Sequence, residues 1–356
     1  MTDPALATAS ITIAEPDDWH VHLRDDHMLS AVAPWTADSF RYALVMPNLT
    51  PPLLTSAAAA AYRQRILDAA GPNASGGFTP LMTLYLNDGI DPDDLRAGAA
   101  AGLVSAVKFY PAGATTNSDH GGESIIQFAA LIDVMIEIDL PLLVHAESTD
   151  PTVDIFDREA RFLDEHLVPL CETRPELRVT VEHLSTRAGV EFVSSHLQVK
   201  GSITPHHLTC DRSHLLANGL LPDLYCKPII NSADDREALA EAALSGSSDF
   251  FLGTDSAPHP STHKHTAQAR PGIFNAPYAL PVVAELFHQA GVLDRLEGFT
   301  SVHGAEHYGF AKSERQVRLT RADTGFEPVS TVTTADGQSV RVFGVDEARL
   351  WTVERV

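Results

Sequence analysis

His20 and His22 stand two residues apart in the run Asp18-Trp19-His20-Val21-His22-Leu23-Arg24. On a β-strand that spacing sends both imidazoles to the same side. Two imidazoles on one face at a strand end can hold one metal ion. Single potential ligands recur at the ends of later apolar runs: Lys108, His145, His183 and Asp255. Histidine nitrogen and carboxylate oxygen are the donors that zinc takes in hydrolytic sites. Lysine is the odd member, because a metal repels an ammonium ion. Carbamylation by carbon dioxide would turn Lys108 into an anion with two oxygens, able to bridge two ions. Two metals about 3.5–4 Å apart can share a hydroxide, polarise a carbonyl and stabilise a developing oxyanion. Arg24 adds a guanidinium that can grip a carboxylate with two parallel hydrogen bonds.

These groups are far apart in the chain, so a repeating scaffold has to gather them. Short apolar runs alternate with longer amphipathic stretches. Strands are predicted at Ile11–His22, Tyr42–Met46, Phe78–Leu86, Val104–Tyr110, Pro141–His145, Arg178–His183, Gly201–Thr204 and Phe250–Gly253. Helices are predicted at Ala57–Ala69, Asp93–Ala101, Ser124–Ile138, Arg158–Cys171, Ala188–Ser195 and Asp234–Leu244, with Thr55 and Asp91 suited to capping. Eight strands with helices between them predict an α/β fold, a (β/α)8 TIM-like barrel. An open doubly wound sheet lacks support, because neither GxGxxG nor GxxxxGK[ST] follows the first strand. In a barrel, active-site groups sit at the C-terminal strand ends, where His22, Lys108, His145, His183 and Asp255 all fall. With no internal repeat or linker, residues 1–356 read as one metal-dependent hydrolase domain. About 310–356 reads as an irregular C-terminal extension or a few short strands: Gln316–Thr320, Ser330–Thr334 and Val340–Trp351.

Composition narrows the partners. Of 356 residues, 44% are hydrophobic and 20% charged, which fits a globular chain rather than a disordered one. The formal net charge of −22 argues against nucleic acid, which needs a basic footprint, and gives no help with anionic lipid. An anionic substrate must therefore be met by local cations such as Arg24. Cys171, Cys210 and Cys226 form no CxxC pair. Met1–Ser10 lacks the pattern of a signal peptide, and no apolar run reaches membrane-spanning length. The expectation is a cytoplasmic protein with reduced thiols, a small-molecule substrate and neither nucleic acid nor membrane as partner.

Further stretches extend the pattern: Met46-Pro47-Asn48-Leu49, Lys108-Phe109-Tyr110-Pro111-Ala112-Gly113-Ala114-Thr115-Thr116-Asn117, and Leu142-Leu143-Val144-His145-Ala146-Glu147. Glu182-His183-Leu184-Ser185-Thr186, Ile203-Thr204-Pro205-His206-His207-Leu208, Leu224-Tyr225-Cys226-Lys227-Pro228 and Gly253-Thr254-Asp255-Ser256-Ala257-Pro258-His259 complete it. Together and in this order they resemble the amidohydrolase superfamily, and within it the dihydroorotases of the single-function bacterial type, over most of the chain.

The resemblance implies reversible cyclisation of N-carbamoyl-L-aspartate to L-dihydroorotate, a step of de novo pyrimidine biosynthesis, with two Zn2+ per chain. His20, His22 and Asp255 would bind the more buried ion, His145 and His183 the second, and carbamylated Lys108 would bridge them. Asp255 would also serve as general base toward the bridging hydroxide and return the proton to the leaving nitrogen. Arg24, Asn48 and His259 would hold the substrate carboxylate. The loop Gly113–His120 would close over the substrate through Thr115 and Thr116. Backbone at Lys227 and Pro271 would meet the ring. Pro271 has no N–H, so its contact would use the carbonyl or pass to Gly272. A homodimer is the family expectation. His206 and His207 read as structural. The competing readings are a hydantoinase or allantoinase, whose substrates need not carry the carboxylate that Arg24 suits, and a non-catalytic partner of an enzyme such as aspartate carbamoyltransferase, which would not need an intact ligand set.

Overall fold

The computed structural model describes residues 9–72, 76–217, 219–322 and 326–356, so most of Met1–Ser10 lies outside it. Strand β1 (Ser10–Ala14) stands apart. It is followed by β2 (Asp18–Val21), β3 (Tyr42–Val45), β4 (Thr79–Tyr85), β5 (Ala106–Phe109), β6 (Leu142–Val144), β7 (Val179–Val181), β8 (Val199–Ile203) and β9 (Phe250–Leu252). These eight, β2 to β9, pair in parallel and in chain order. A parallel bridge from Val21 to Ser256 joins the last strand's end to the first. The result is a (β/α)8 barrel, as the alternation of apolar runs and amphipathic stretches predicts.

Strand alternation explains how the barrel aims its side chains. On β5, Val107 and Phe109 pack into the core beneath the helices, whereas Ala106 joins the inner cluster. Lys108, two residues beyond Ala106, therefore faces inward. Leu143 faces inward on β6, and His145 follows it at the same parity. On β7, Thr180 points inward and hydrogen-bonds Tyr308 Oη at 2.9 Å, so Glu182 also points inward, one step above. The floor is apolar: Trp19, Leu44, Leu81, Ala106, Leu143, Phe251 and Tyr308 cluster there, with Trp19 stacked on Tyr308 at 4.7 Å. The inner positions thus change from hydrocarbon at the floor to ligand-type groups at the C-terminal rim.

The helices begin where capping chemistry allows. Thr55 Oγ1 accepts from Ala58 N at 3.1 Å, and Asp91 Oδ1 from Asp93 N at 2.9 Å. Gly253, just past β9, is required by space: a Cβ there would lie 2.9 Å from Ser202 Cβ and 3.1 Å from His20 Cβ.

Several details depart from the sequence reading, among them the strand read at Val340–Trp351, which is interrupted by a helix at Val345–Ala348. The stretch Ile11–His22 is two strands, not one. Pro16 cannot continue a ladder, and buried Asp17 turns to pair with Arg41 at 2.6 Å. Strand β1 leaves the barrel to pair with β10 (Gln316–Arg321), which also pairs with β13 (Trp351–Arg355). The helix at Arg158–Cys171 contains a π turn at Leu163–Leu167, which ends two residues before Pro169; a proline without an N–H disturbs the i→i−4 ladder there. Two long helices were not predicted, Asp26–Ser39 and Ala279–Gln289, nor were short ones such as Pro205–Thr209, Arg212–Leu216, Ser261–Lys264 and His303–His307. Of the two long ones, the first carries Pro34 inside it, and the second is buried along most of its length. Toward the C-terminus, β11 (Thr331–Thr333) and β12 (Ser339–Arg341) form a hairpin-like pair.

Candidate active site

The C-terminal rim of the barrel brings His20, His22 and Asp255 together. His20 Nε2 and His22 Nε2 lie 3.2 Å apart, and Asp255 Oδ1 is 3.3 Å from the first and 3.2 Å from the second. Burial keeps both imidazoles neutral, with the His22 pKa pushed down to about 3 and that of His20 also lowered. Burial would raise the Asp255 carboxyl, but hydrogen bonds to both histidines outweigh it and hold the group well below its ordinary value. Two imidazole nitrogens and a carboxylate oxygen facing one another in a dry site form a donor set that a cation can take up.

His145 and His183 form a second pair, His145 Nδ1 lying 3.0 Å from His183 Nε2. Burial lowers the pKa of each, so both are in the ligand form. Lys108 is fully buried between the two groups and contacts Glu182. Burial pushes its pKa well below that of a free lysine.

Two carboxylates back the histidines. Glu182 Oε1 lies 2.9 Å from His20 Nδ1, short of hydrogen-bonding alignment. Glu147 Oε2 lies 3.2 Å from His145 Nε2. A carboxylate behind a ligating imidazole fixes its orientation and tautomer. Neither glutamate was singled out from sequence, although each adjoins or closely follows a predicted ligand, which was the available signal. Glu147 also pairs with Lys227 Nζ at 2.5 Å, so the side chain of Lys227 is engaged as well as its backbone.

Backbone conformation contributes to the geometry. Arg24, His183 and Asp255 all have left-handed φ, at 59°, 43° and 44°. Such strain in residues other than glycine gathers where function fixes the geometry. Asp255 is held on both sides: its N–H donates to His20 O at 2.9 Å, and Thr254 donates from its hydroxyl to buried Asp18 at 2.6 Å. His183 is followed by a loop that buried Glu159 clamps through Ser185 and Thr186 N–H groups at 2.8 and 3.0 Å.

The cleft above these groups is lined by His22, Arg24, Asn48, Tyr110, Thr115, Thr116, His145, His183, Lys227, Asp255, Pro271 and Gly272. Of the predicted substrate residues only His259 stands back from it. His259 Nε2 accepts from Arg24 Nη2 at 3.1 Å, and the ring also bonds the backbone of Pro271. Burial, reinforced by Arg24, drives its pKa down to about 2, so it meets Arg24 as a neutral acceptor. Pro271, lacking an N–H, makes this bond to His259 through its carbonyl. The loop Gly113–His120 is docked: Asn48 Nδ2 donates to Thr116 O at 2.9 Å, and Asn117 Nδ2 to Asn48 O at 3.0 Å. Tyr110 Oη, Thr116 Oγ1 and His183 Nδ1 are buried without a hydrogen-bond partner. Unmet polar atoms around one cleft suit a polar ligand and metal ions.

The amidohydrolase family profile matches residues 12–314. A dihydroorotase of Nitrosomonas europaea is 49% identical over 312 residues, which cover 87% of this chain and 89% of that protein. The chain belongs to the dihydroorotase family. The dihydroorotase of Cereibacter sphaeroides is 47% identical over 348 residues, 98% of this chain and 99% of that one. The crystal structure of a Campylobacter jejuni dihydroorotase superposes with a TM-score of 0.86 at 32% identity, covering 98% of each chain. Membership of the dihydroorotase family implies a metal cofactor, and the donor set described above fits one.

Proposed function

We infer that this chain interconverts N-carbamoyl-L-aspartate and L-dihydroorotate, the ring-closing step of pyrimidine biosynthesis, and that it does so with two zinc ions. The observation that carries the reading is the convergence of His20, His22 and Asp255 beside a second histidine pair, with Arg24 at the same cleft. His20, His22 and Asp255 would hold one ion, His145 and His183 the other, and carbamylated Lys108 both. The low basicity of buried Lys108 supports this, since the neutral amine is the form that adds to carbon dioxide. Bound there, the metals would supply an activated water and polarise the ring carbonyl.

The remaining work falls to side chains. Asp255, ionised and at the centre, takes a proton from the attacking water and delivers it to the departing ring nitrogen. Arg24 and Asn48 orient the substrate carboxylate, and His259 holds Arg24 in place from behind. Thr115 and Thr116, on the docked loop, exclude bulk water, which favours the condensation direction. A cytoplasmic homodimer belongs to the same reading, and light scattering on purified protein tests the dimer.

Turnover of both compounds by zinc-supplemented protein tests the activity, with a panel of hydantoins and allantoin alongside. Turnover in both directions is expected. Hydrolysis of a hydantoin with no action on L-dihydroorotate would replace this reading with that of a related cyclic amidohydrolase.

A further inference from the structure

Lys264 ends a short helix, Ser261–Lys264, and is almost completely buried at 4% exposure. The acceptors it meets are main-chain carbonyls: Nζ donates to Tyr225 O at 2.7 Å and to Gly272 O at 2.6 Å. Gly272 N–H donates to the same Tyr225 carbonyl at 2.9 Å. Three bonds therefore knit residue 225 to residue 272. Gly272 lines the cleft together with Pro271, and Tyr225 lies two residues before Lys227, which lines it as well.

The wall is anchored at other points too. Pro228 O lies 3.2 Å from Cys226 Sγ and 3.2 Å from His207 Nε2, while His207 Nδ1 lies 2.9 Å from Thr204 Oγ1. His206, His207 and Cys226 come within ligand distance of one another. The contacts of His207 and Cys226 with one carbonyl account for two of the three as a scaffold for the backbone. Gly272 fits with no slack: its φ is +145°, and a Cβ would fall 2.3 Å from Ala257 O.

We propose that Lys264 is a positioning residue for substrate specificity, fixing the backbone at 225–228 and 270–272 that walls the cleft. A buried ammonium bonded to carbonyls is an unfavourable way merely to join two loops, since burial disfavours its charge and lowers its pKa to about 8. Its advantage is geometric, because one atom with three donors sets two carbonyls at a fixed separation. The inference rests on the activity proposed above.

The test is steady-state kinetics on full-length, metal-loaded Lys264→Met, with metal content and thermal melting measured beside the wild type. The expected result is a KM raised about tenfold or more for both compounds, kcat within about threefold and metal content unchanged. Lys264→Arg should recover part of the loss. A folded Lys264→Met with unaltered KM overturns the proposal. Should that variant not fold, Lys264→Gln takes its place, and failure of both to fold overturns the positioning role in favour of a purely structural one. An inactive wild type removes the activity reading and this inference with it. An active wild type with an unaffected Lys264→Met removes this inference alone.

Discussion

Asp255 meets His20 twice: its N–H donates to the His20 carbonyl at 2.9 Å, and its Oδ1 lies 3.3 Å from His20 Nε2. The first contact belongs to the seam that closes the barrel, beside the Val21–Ser256 bridge and the His22 N to Ser256 O bond at 2.9 Å. The second builds the centre of the proposed metal site. Barrel closure and ligand convergence are therefore one event, so the carboxylate position is as rigid as the seam.

That coupling makes Asp255→Asn informative. The amide keeps the backbone bond and the volume but removes the charge and the proton acceptor. The fold should persist by circular dichroism, while kcat falls by about 10³-fold, the range for loss of a general base. Turnover near that of the wild type would take Asp255 out of the proton transfer.

Arg24→Met should act on binding. Losing a charge-assisted contact to a carboxylate costs about 3 kcal/mol, which is about 100-fold in KM. An unchanged KM for both compounds would show that the substrate carboxylate is held elsewhere.

Metal removal has an effect on the folded state itself, because the ions bind folded rather than unfolded chain. Dialysis against a chelator should abolish turnover and lower the melting temperature, and zinc should restore both; a ligand at about 100 times its Kd contributes about 2.7 kcal/mol. His145→Ala should retain one metal equivalent where the wild type holds two. Carbamylation of Lys108 should give a carbamate carbon signal from 13C-bicarbonate that Lys108→Ala lacks.

Acid stability should report on Glu285. Burial raises its pKa, but hydrogen bonds from Arg321, Trp351 and Gln289 outweigh this and hold it at about 2. With a folded pKa below the unfolded value of 4.5, its contribution is complete above pH 4.5 and is lost as pH falls toward 2. By linkage the contribution is about 3 kcal/mol at most. Glu285→Gln should melt lower at neutral pH and show a flatter decline between pH 4.5 and 2; an identical acid limb would mean that the pair with Arg321 contributes nothing.

Most of this site could be read from residue types at strand ends. His22, His145, His183 and Asp255 fall just past strand ends, His20 and Lys108 lie inside β2 and β5, and strand parity determines which way they face. What escaped notice depended on distance in the chain. Glu182 sits next to His183, but its role comes from facing His20 across the barrel, and Glu147, two residues after His145, gains its second partner, Lys227, from 80 residues later in the chain. Lys264 lies in a polar stretch that looks solvated, and only folding reveals the carbonyls that bury it. Pro16 breaks the strand read at Ile11–His22, and the partner of the freed segment lies up to 310 residues further on.

That last pairing bears on biosynthesis. Ser10–Ala14 emerges from the ribosome long before its hydrogen-bond partner Gln316–Arg321 is synthesised. The seam between His20 and Asp255 must wait almost as long. Until then, the early strands present unpaired edges, which are prone to pair with other chains. Contacts so distant in sequence also close slowly. Yield in a cell should therefore depend on how well nascent chains are shielded during translation, more than on the stability of the finished barrel.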